Sequence, residues 1–336
     1  MPSSPVVAVV GATAAGKSEL ALDLAEALGG EVVNTDSMQL YRGMDIGTAK
    51  LPPAERRGVP HHLLDVLELP AEASVARFQR DAREVIEDCW TRGVVPVLVG
   101  GSALYTRAVL DRLEFPGTDP AVRRRLEDEL TQHGSARLHA RLREVDPDAA
   151  HHIEPGNGRR IVRALEVVEL TGAPFAARLP APSYVFPGAV QVGVDIDRPT
   201  LDERIARRVD RMWADGLVDE VRELEARGLR ESRTASRALG YQQVLAFLAG
   251  ETTEDEARER TVVGTRRFVR RQDAWFRKDP RVTWVAYEDA QRLERALEAV
   301  AQAARAGAST DGSTTAASQA VQHQASRSDS DSTTGR

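Results

Sequence analysis

Gly11-Ala-Thr-Ala-Ala-Gly-Lys-Ser18 has the spacing G-x-x-x-x-G-K-[ST] of a loop that cradles phosphates. Val6 to Val10 before it is a short apolar, β-branched run that reads as a buried strand, and Glu19 to Leu28 after it sets Leu20, Leu24 and Leu28 at helical spacing. Strand, glycine loop and helix in that order are the context a P-loop requires. Gly11 and Gly16 let the backbone turn and bring its N–H groups close to an anion, while the helix N-terminus adds partial positive charge. On this reading Gly11, Ala12, Thr13, Ala14, Ala15, Gly16, Lys17 and Ser18 together bind a diphosphate or nucleotide. Lys17 reaches a terminal phosphate oxygen, and the Ser18 hydroxyl ligates Mg2+.

Outward from the loop, Glu31 to Thr35 reads as a second strand ending at Asp36-Ser37, and Leu63 to Leu67 as a short extended segment. Val75 to Trp90 is an amphipathic helix with Val75, Phe78, Ala82, Val85, Ile86 and Cys89 on one side. Val94 to Val99 is a buried strand whose Pro96, lacking an N–H, predicts an edge position or a distortion. Gly100-Gly101-Ser102 then leads into a helix carrying Leu104, Ala108 and Val109. Such alternation implies an α/β fold with a parallel sheet. From Asp119 to Leu170 the pattern is helical and arginine-rich without a strand, and Pro174 to Pro187 reads as a linker or extended arm. Ala189 to Ile196 restores a strand, helices follow over 201–226, 236–249 and 254–276, and Val282 to Ala286 is the last strand. The expected layout is a core in two parts, 1–118 and 189–306, the second with basic C-terminal helices, around an inserted helical domain at 119–188. Residues 307–336 hold almost no large apolar side chains and predict a disordered tail.

The 336 residues, 42% hydrophobic and 29% charged, describe a soluble globular protein of about two domains. A single cysteine, Cys89, excludes an intramolecular disulfide framework and a multi-cysteine zinc site. Beside Ile86 and Trp90 it reads as a small buried apolar residue in a reducing cytosol. The N-terminus lacks a basic segment followed by an apolar one, and no apolar run approaches about 18 residues, so a cytoplasmic protein without a membrane span is expected. A net charge of −6 argues against indiscriminate polyanion binding, which leaves the matter to local clusters. The adjacent pairs His61-His62 and His151-His152 point apart on a helix or strand, which disfavours a metal site.

In an open parallel sheet ligands sit beyond the carboxyl ends of the strands. Three such ends carry polar residues: the P-loop, Asp36-Ser37-Met38-Gln39 and Gly100-Gly101-Ser102. A carboxylate at Asp36 facing a phosphate cradle can help hold Mg2+ or act as a general base; the competing reading makes Asp36 and Ser102 turn or helix caps. No apolar run ends in a clear Walker B aspartate, since Val97-Leu-Val99 leads into Gly-Gly and Val192-Gly-Val-Asp195 is weaker. Kinases, NTPases and other diphosphate users stay open on pattern alone. Arg159-Arg160-Ile-Val-Arg163 opens a helix after a Pro-Gly-Asn-Gly turn, and Arg266, Arg267, Arg270 and Arg271 make a stripe beside Gln272, Trp275, Phe276 and Arg277. Charge interleaved with aromatic surface suits single-stranded RNA; the competing reading is a solvated helix face with Phe268 and Trp275 in the core.

Gly11 to Ser18, Asp36-Ser-Met-Gln-Leu-Tyr-Arg-Gly-Met-Asp-Ile-Gly-Thr-Ala-Lys50, Pro60-His61-His62-Leu63, Leu98-Val-Gly-Gly-Ser102, Arg160-Ile-Val-Arg-Ala-Leu-Glu166, Gly240-Tyr241-Gln242 and Arg271-Gln272 stand in one order across residues 5 to 290. In them the sequence resembles the bacterial tRNA dimethylallyltransferases, or tRNA isopentenyltransferases. The resemblance implies a P-loop NTPase-like parallel sheet core with an inserted all-helical domain. It also implies transfer of a dimethylallyl group from dimethylallyl diphosphate to N6 of the tRNA adenosine next to the anticodon, with Mg2+ as cofactor and the anticodon stem-loop as partner of a monomer.

By position, Asp36 corresponds to the general base, Ser102 to a threonine near the transferring group, and Thr13, Lys17 and Ser18 to diphosphate and Mg2+ contacts. Arg208 is similar to an arginine on the pyrophosphate, which completes a catalytic set of Asp36, Ser102, Lys17 and Arg208. The implied tRNA contacts are Asp36, Ser37, Met38, Gln39, Ser102, Arg123, Arg159, Arg160, Arg163, Gly240, Tyr241, Gln242, Arg270, Arg271, Gln272 and Arg277. Serine at 102 keeps the hydroxyl and loses a methyl, and the chain lacks cysteines for the zinc finger of eukaryotic relatives. The rivals are a small-molecule P-loop kinase, an adenylate isopentenyltransferase and a non-enzymatic RNA-binding protein.

Overall fold

A computed structural model describes residues 4–177 and 179–306. Its elements run β1 (Val7–Val10), α1 (Lys17–Leu28), β2 (Gly30–Asn34), β3 (His61–His62), α2 (Val75–Thr91), β4 (Val95–Val99), α3 (Ala103–Leu110), α4 (Pro120–Val145), α5 (Pro147–His152), α6 (Gly158–Thr171), β5 (Val190–Asp195), α7 (Arg198–Ala214), α8 (Leu217–Ala226), α9 (Tyr241–Leu248), α10 (Glu254–Phe276) and β6 (Val282–Ala286). Six strands form one sheet in the order β3-β2-β4-β1-β5-β6, paired in parallel throughout. All four residues of β1 are buried, as in a parallel sheet covered on both faces. Its side chains alternate between two cores: Val6, Ala8 and Val10 meet Phe78, Ile86, Leu217 and Val244, whereas Val7 and Val9 meet Leu20, Leu24, Leu201 and Val269.

Pro96 is not at an edge. β4 lies between β2 and β1, and Pro96 pairs with Glu31 of β2, while β1 joins β4 only from Val97 onward. Gly100 donates its N–H to Val9 on the β1 side, so the alternation of a strand points the position-96 nitrogen toward β1 too, at a level where that strand has not begun. No ladder bond is lost there, and the proline fits. The expected extended segment at Leu63 to Leu67 is also displaced. The strand is His61–His62, and Leu63 and Asp65 have left-handed φ of 59° and 57°. Asn34 Nδ2 holds the Leu63 carbonyl at 2.9 Å and Lys50 Nζ holds Asp65 Oδ1 at 2.6 Å, which bends the chain; Leu67 then makes a lone bridge with Tyr41.

Residues 292–306 form a further helix after β6. The expectation ended at the last strand, although Leu293, Ala296, Leu297 and Val300 carry helical spacing and pack into the core with Leu20 and Val269. The described residues of 174–187 are mostly irregular, with Tyr184 bridging Asp111.

The chain divides into two compact units, one of Arg112–Ser183 and one formed by the chain up to Asp111 and from Tyr184. The smaller unit thus begins and ends earlier than the 119–188 read from sequence. It holds α4, α5 and α6 around Leu126, Leu138, Leu142, Ile153, Ile161 and Leu165, and α4 is broken at Gly134, whose φ of 75° no helix continues. The tail expected from 307 lies outside the described residues. Among the described residues no helix is long and apolar enough to cross a membrane.

Candidate active site

The loop between β1 and α1 is held from behind. Ala14 takes a left-handed φ of 63°, a costly conformation for a residue with a Cβ, and Arg204 of α7 donates from Nε to its carbonyl at 2.7 Å. Arg204 also lies over the Tyr287 ring at 4.4 Å and bonds its hydroxyl, and the same ring is 3.6 Å from where a Cβ on Gly16 would stand. Gly11 and Gly16 have φ of 127° and 99°, which a side chain rarely tolerates. Lys17 is buried, with Nζ turned to the Ala12 carbonyl at 2.6 Å. Burial first, then the charge of Arg208, lowers the Lys17 pKa to about 7 against the opposing pull of Asp36. Burial likewise lowers Arg208, and Asp36 raises it. One lysine, one arginine and one carboxylate therefore share a single electrostatic locality at the P-loop.

Asp36 is fixed by its own turn. Asn34 accepts the Asp36 N–H at 2.8 Å and donates to its carbonyl at 3.0 Å, and Asp36 Oδ1 accepts the Met38 N–H at 2.9 Å. The carboxylate thus caps a turn while also acting on Lys17 and Arg208. Ser102 stands at the N-terminus of α3 without capping it; its Oγ accepts the Ser37 N–H at 3.5 Å instead. A Cβ on Gly100 would overlap Thr35 Oγ1, so the turns after β2 and β4 meet at backbone distance.

Gln272 closes the third side. Its Oε1 accepts the Thr13 N–H at 3.0 Å and its Nε2 donates to the Gly101 carbonyl at 2.9 Å. Gln272 thus joins the P-loop to the Gly100-Gly101-Ser102 turn, which in turn meets the Asp36 turn through Ser102 and Gly100.

Several residues expected at a tRNA surface are occupied elsewhere. Gln272 is buried and its amide is used on the two loops. Tyr241 is fully buried, its hydroxyl bonded to Glu220 at 2.6 Å, and Gly240, at φ 88°, starts α9. In the helical unit Arg123 and Arg163 both bind the buried Glu166, and Arg163 also donates to the carbonyls of Pro116 and Gly117. Arg160 donates to the Ala177 carbonyl. Arg277 pairs with Asp195, the weaker Walker B candidate, and lies 4.1 Å over the Trp284 ring. Arg160 and Arg277 are nonetheless exposed, as are Arg159, Gln242, Arg270, Arg271 and Trp275, the last at 41%. Trp275 is therefore not in the core; Val269 and Phe276 are. Ser37, Met38 and Gln39 are half-buried, with Gln39 Nε2 donating to the Thr48 carbonyl at 3.1 Å.

Ser18 is exposed in the first turn of α1, where its hydroxyl can serve a hard cation shared with a phosphate. Glu31, His62 and Cys89 bring three donor atoms within 4.8 Å of one another. Both Glu31 oxygens already bind Arg92, at 2.6 and 2.7 Å, which with His62 holds that carboxyl at about 2. Burial and the same carboxylate push the Cys89 thiol up to about 11, so the cluster is an ion-pair network around a neutral thiol.

The family model described as IPP transferase matches residues 39–279. The chain belongs to the IPP transferase family. It is 68% identical over 300 residues to a tRNA dimethylallyltransferase of Salinispora arenicola, covering 89% of this chain and 87% of the relative. A tRNA dimethylallyltransferase of a Nocardioides species is 66% identical over 298 residues, 89% of this chain and 96% of the relative. Among solved structures, the full-length tRNA isopentenylpyrophosphate transferase of Bacillus halodurans superposes with a TM-score of 0.68 at 38% identity, covering 92% of this chain and 99% of that one. A eukaryotic dimethylallyltransferase, captured acting on tRNA, gives 0.72 at 26% identity over 85% and 75% of the two chains. The IPP transferase fold is thus this parallel six-stranded α/β sheet. One residue that braces the P-loop of this IPP transferase, Arg204, is absent from the sequence reading. Arg204 lies four positions before Arg208 on one helix, a spacing that puts both on the same face.

Proposed function

We propose that this chain transfers the dimethylallyl group of dimethylallyl diphosphate to N6 of the adenosine beside the anticodon of tRNA, giving N6-dimethylallyladenosine and diphosphate. The observation that carries the reading is the placing of Asp36 in one electrostatic locality with Lys17 and Arg208 at a phosphate-type loop. Arg208 and a Lys17 that a bound anion keeps protonated suit a departing diphosphate, and a carboxylate beside them suits an amine that must lose a proton.

The allylic C–O bond breaks as negative charge grows on the diphosphate, where the P-loop N–H groups, Lys17 and Arg208 neutralise it. Lys17 Nζ, turned to the Ala12 carbonyl, has an anion to exchange it for. The N6 lone pair is delocalised into the purine. Asp36 accepts the N6 proton as the C–N bond forms, which restores the nucleophile. Ser102, joined to the Asp36 turn through Ser37, faces the transferring group with its hydroxyl. The Thr13 N–H is held by Gln272, so it is the hydroxyl that Thr13 offers the diphosphate. Ser18 is the residue that would hold Mg2+, together with diphosphate oxygens; the ion would supply further charge neutralisation to the leaving group.

The acceptor base is stacked in the anticodon loop and must be extruded to reach the donor. The exposed Arg270, Arg271 and Trp275 on α10 and Arg159 on the helical unit are the groups available to backbone and bases. A tRNA substrate puts the reaction in the cytoplasm.

Labelled dimethylallyl diphosphate incubated with the protein and an anticodon stem-loop, AMP or no acceptor, followed by mass analysis, tests the assignment. One dimethylallyl mass added to the stem-loop alone is the expected result. Addition to AMP in its place makes the chain an adenylate isopentenyltransferase; with no addition to either acceptor, a parallel incubation with ATP that adds a phosphoryl mass makes it a kinase, and stem-loop binding by anisotropy without any addition makes it a binding protein.

A further inference from the structure

Glu220, on α8, grips a loop of the Asp36 to Lys50 stretch. Its Oε2 accepts the N–H groups of Asp45 at 3.1 Å and Ile46 at 2.7 Å, and its Oε1 accepts Gly47 N–H at 3.2 Å and the Tyr241 hydroxyl at 2.6 Å. Three successive backbone N–H groups converging on one anion form the kind of nest that otherwise holds a bound ion; here the anion is the protein's own side chain. Tyr241 is fully buried, and burial together with Glu220 pushes its phenol well above the ordinary value, so the hydroxyl stays a donor. A Cβ on Gly47 would overlap the Tyr241 ring, so the ring itself presses on the loop. From its other end the loop is tied by Lys50, whose Nζ takes Asp45 Oδ1 at 2.6 Å and the Tyr41 carbonyl at 2.9 Å.

What this fixed loop presents is the Thr48 carbonyl. It accepts Arg208 Nη2 at 3.3 Å and Gln39 Nε2 at 3.1 Å. Arg208, on α7, lies close enough to the P-loop for its charge to act on Lys17, and its guanidinium donates to the Thr48 carbonyl. We propose that Glu220, seconded by Tyr241, is a positioning residue for the transfer reaction: by holding the Asp45–Gly47 backbone it sets the Thr48 carbonyl, and through it the place of Arg208 at the departing diphosphate. The inference rests on the role given to Arg208 under the proposed function.

A double-mutant cycle on the full chain tests it. Glu220→Gln keeps the shape but turns an NH2 group on backbone N–H donors, so the loop shifts; Tyr241→Phe removes one donor and keeps the ring. Glu220→Gln is expected to lower kcat for prenyl transfer about tenfold and to leave the Kd for an anticodon stem-loop within about threefold. In an Arg208→Ala background the same substitution changes kcat less than about twofold, because the group it positions is gone. Tyr241→Phe repeats the pattern at smaller amplitude and carries the test if Glu220→Gln fails to fold, as judged by circular dichroism. Arg208→Ala that impairs kcat while Glu220→Gln multiplies the loss by its full single-mutant factor overturns the positioning role alone. Arg208→Ala with unimpaired turnover removes the role given to Arg208, and this inference with it.

Discussion

The side-chain amide of Gln272 donates to the Gly101 carbonyl at 2.9 Å while its oxygen takes the Thr13 N–H, so one glutamine on α10 fastens the P-loop to the turn that carries Ser102. A Cβ on Gly101 would overlap Gln272 Nε2. Gly101→Ala must therefore displace the amide, and Gln272→Leu removes it outright. Both are expected to raise the KM for dimethylallyl diphosphate about tenfold, about 1.4 kcal/mol, by loosening the loop. Stem-loop affinity stays within about threefold. Steady-state kinetics and RNA titration check this; a lost RNA affinity with an unchanged donor KM returns Gln272 to the RNA surface.

Asp36 has two duties that a single substitution separates. Asparagine keeps an oxygen for the Met38 N–H and so preserves the turn, but it carries no charge and takes no proton. Asp36→Asn is expected to lower kcat by about 10²- to 10⁴-fold, the range of a lost general base, with RNA binding retained. Single-turnover transfer at saturating donor and RNA measures it. Turnover near that of the parent would assign Asp36 to the turn alone.

Arg270 and Arg271 are exposed on α10, away from the buried Val269, Gln272 and Phe276. If both meet phosphates, Arg270→Ala with Arg271→Ala lowers the slope of log affinity against log salt by about 1.4 to 1.8, the value for two counterions released from single or double strands. Fluorescence anisotropy with a labelled stem-loop at several salt concentrations reads the slope. An unchanged slope places the RNA backbone elsewhere.

The strand, glycine loop and helix were legible because a P-loop is specified by backbone conformation, and glycine spacing reports backbone directly. So were the three polar strand ends. What spacing does not report is the partner of a polar side chain. Gln272 and Tyr241 stand in motifs that read as RNA-facing, yet their partners are protein groups far along the chain, Gly101 and Glu220. Pro96 misled for a related reason. Whether a missing N–H costs a bond depends on where the neighbouring strand begins, and that is set by β1, not by the residues around the proline.

Glu166 supplies the sharpest case, because two arginines read as RNA contacts are its partners. The carboxylate is fully buried and accepts from Thr118 Oγ1 at 2.6 Å, Asp119 N–H at 3.2 Å, Arg163 Nη1 at 2.7 Å and Arg123. Burial alone would raise its pKa, but the bonds from Arg123, Thr118 and Arg163 outweigh it and hold the group at about 2, below the ordinary 4.5. Between those values the unfolded chain binds a proton that the folded chain does not. The contribution to stability is therefore complete above about pH 4.5 and is lost as pH falls toward 2; from the shift it amounts to about 3 kcal/mol. Glu166→Gln removes this dependence and leaves two cations facing a neutral amide. Hydrogen exchange of the α4 and α6 amides is expected to be much faster in the variant than in the parent near pH 6, with the difference shrinking toward pH 3. A difference that stays constant across that range would mean Glu166 is not held ionised by Arg123 and Arg163, and would free those arginines for RNA.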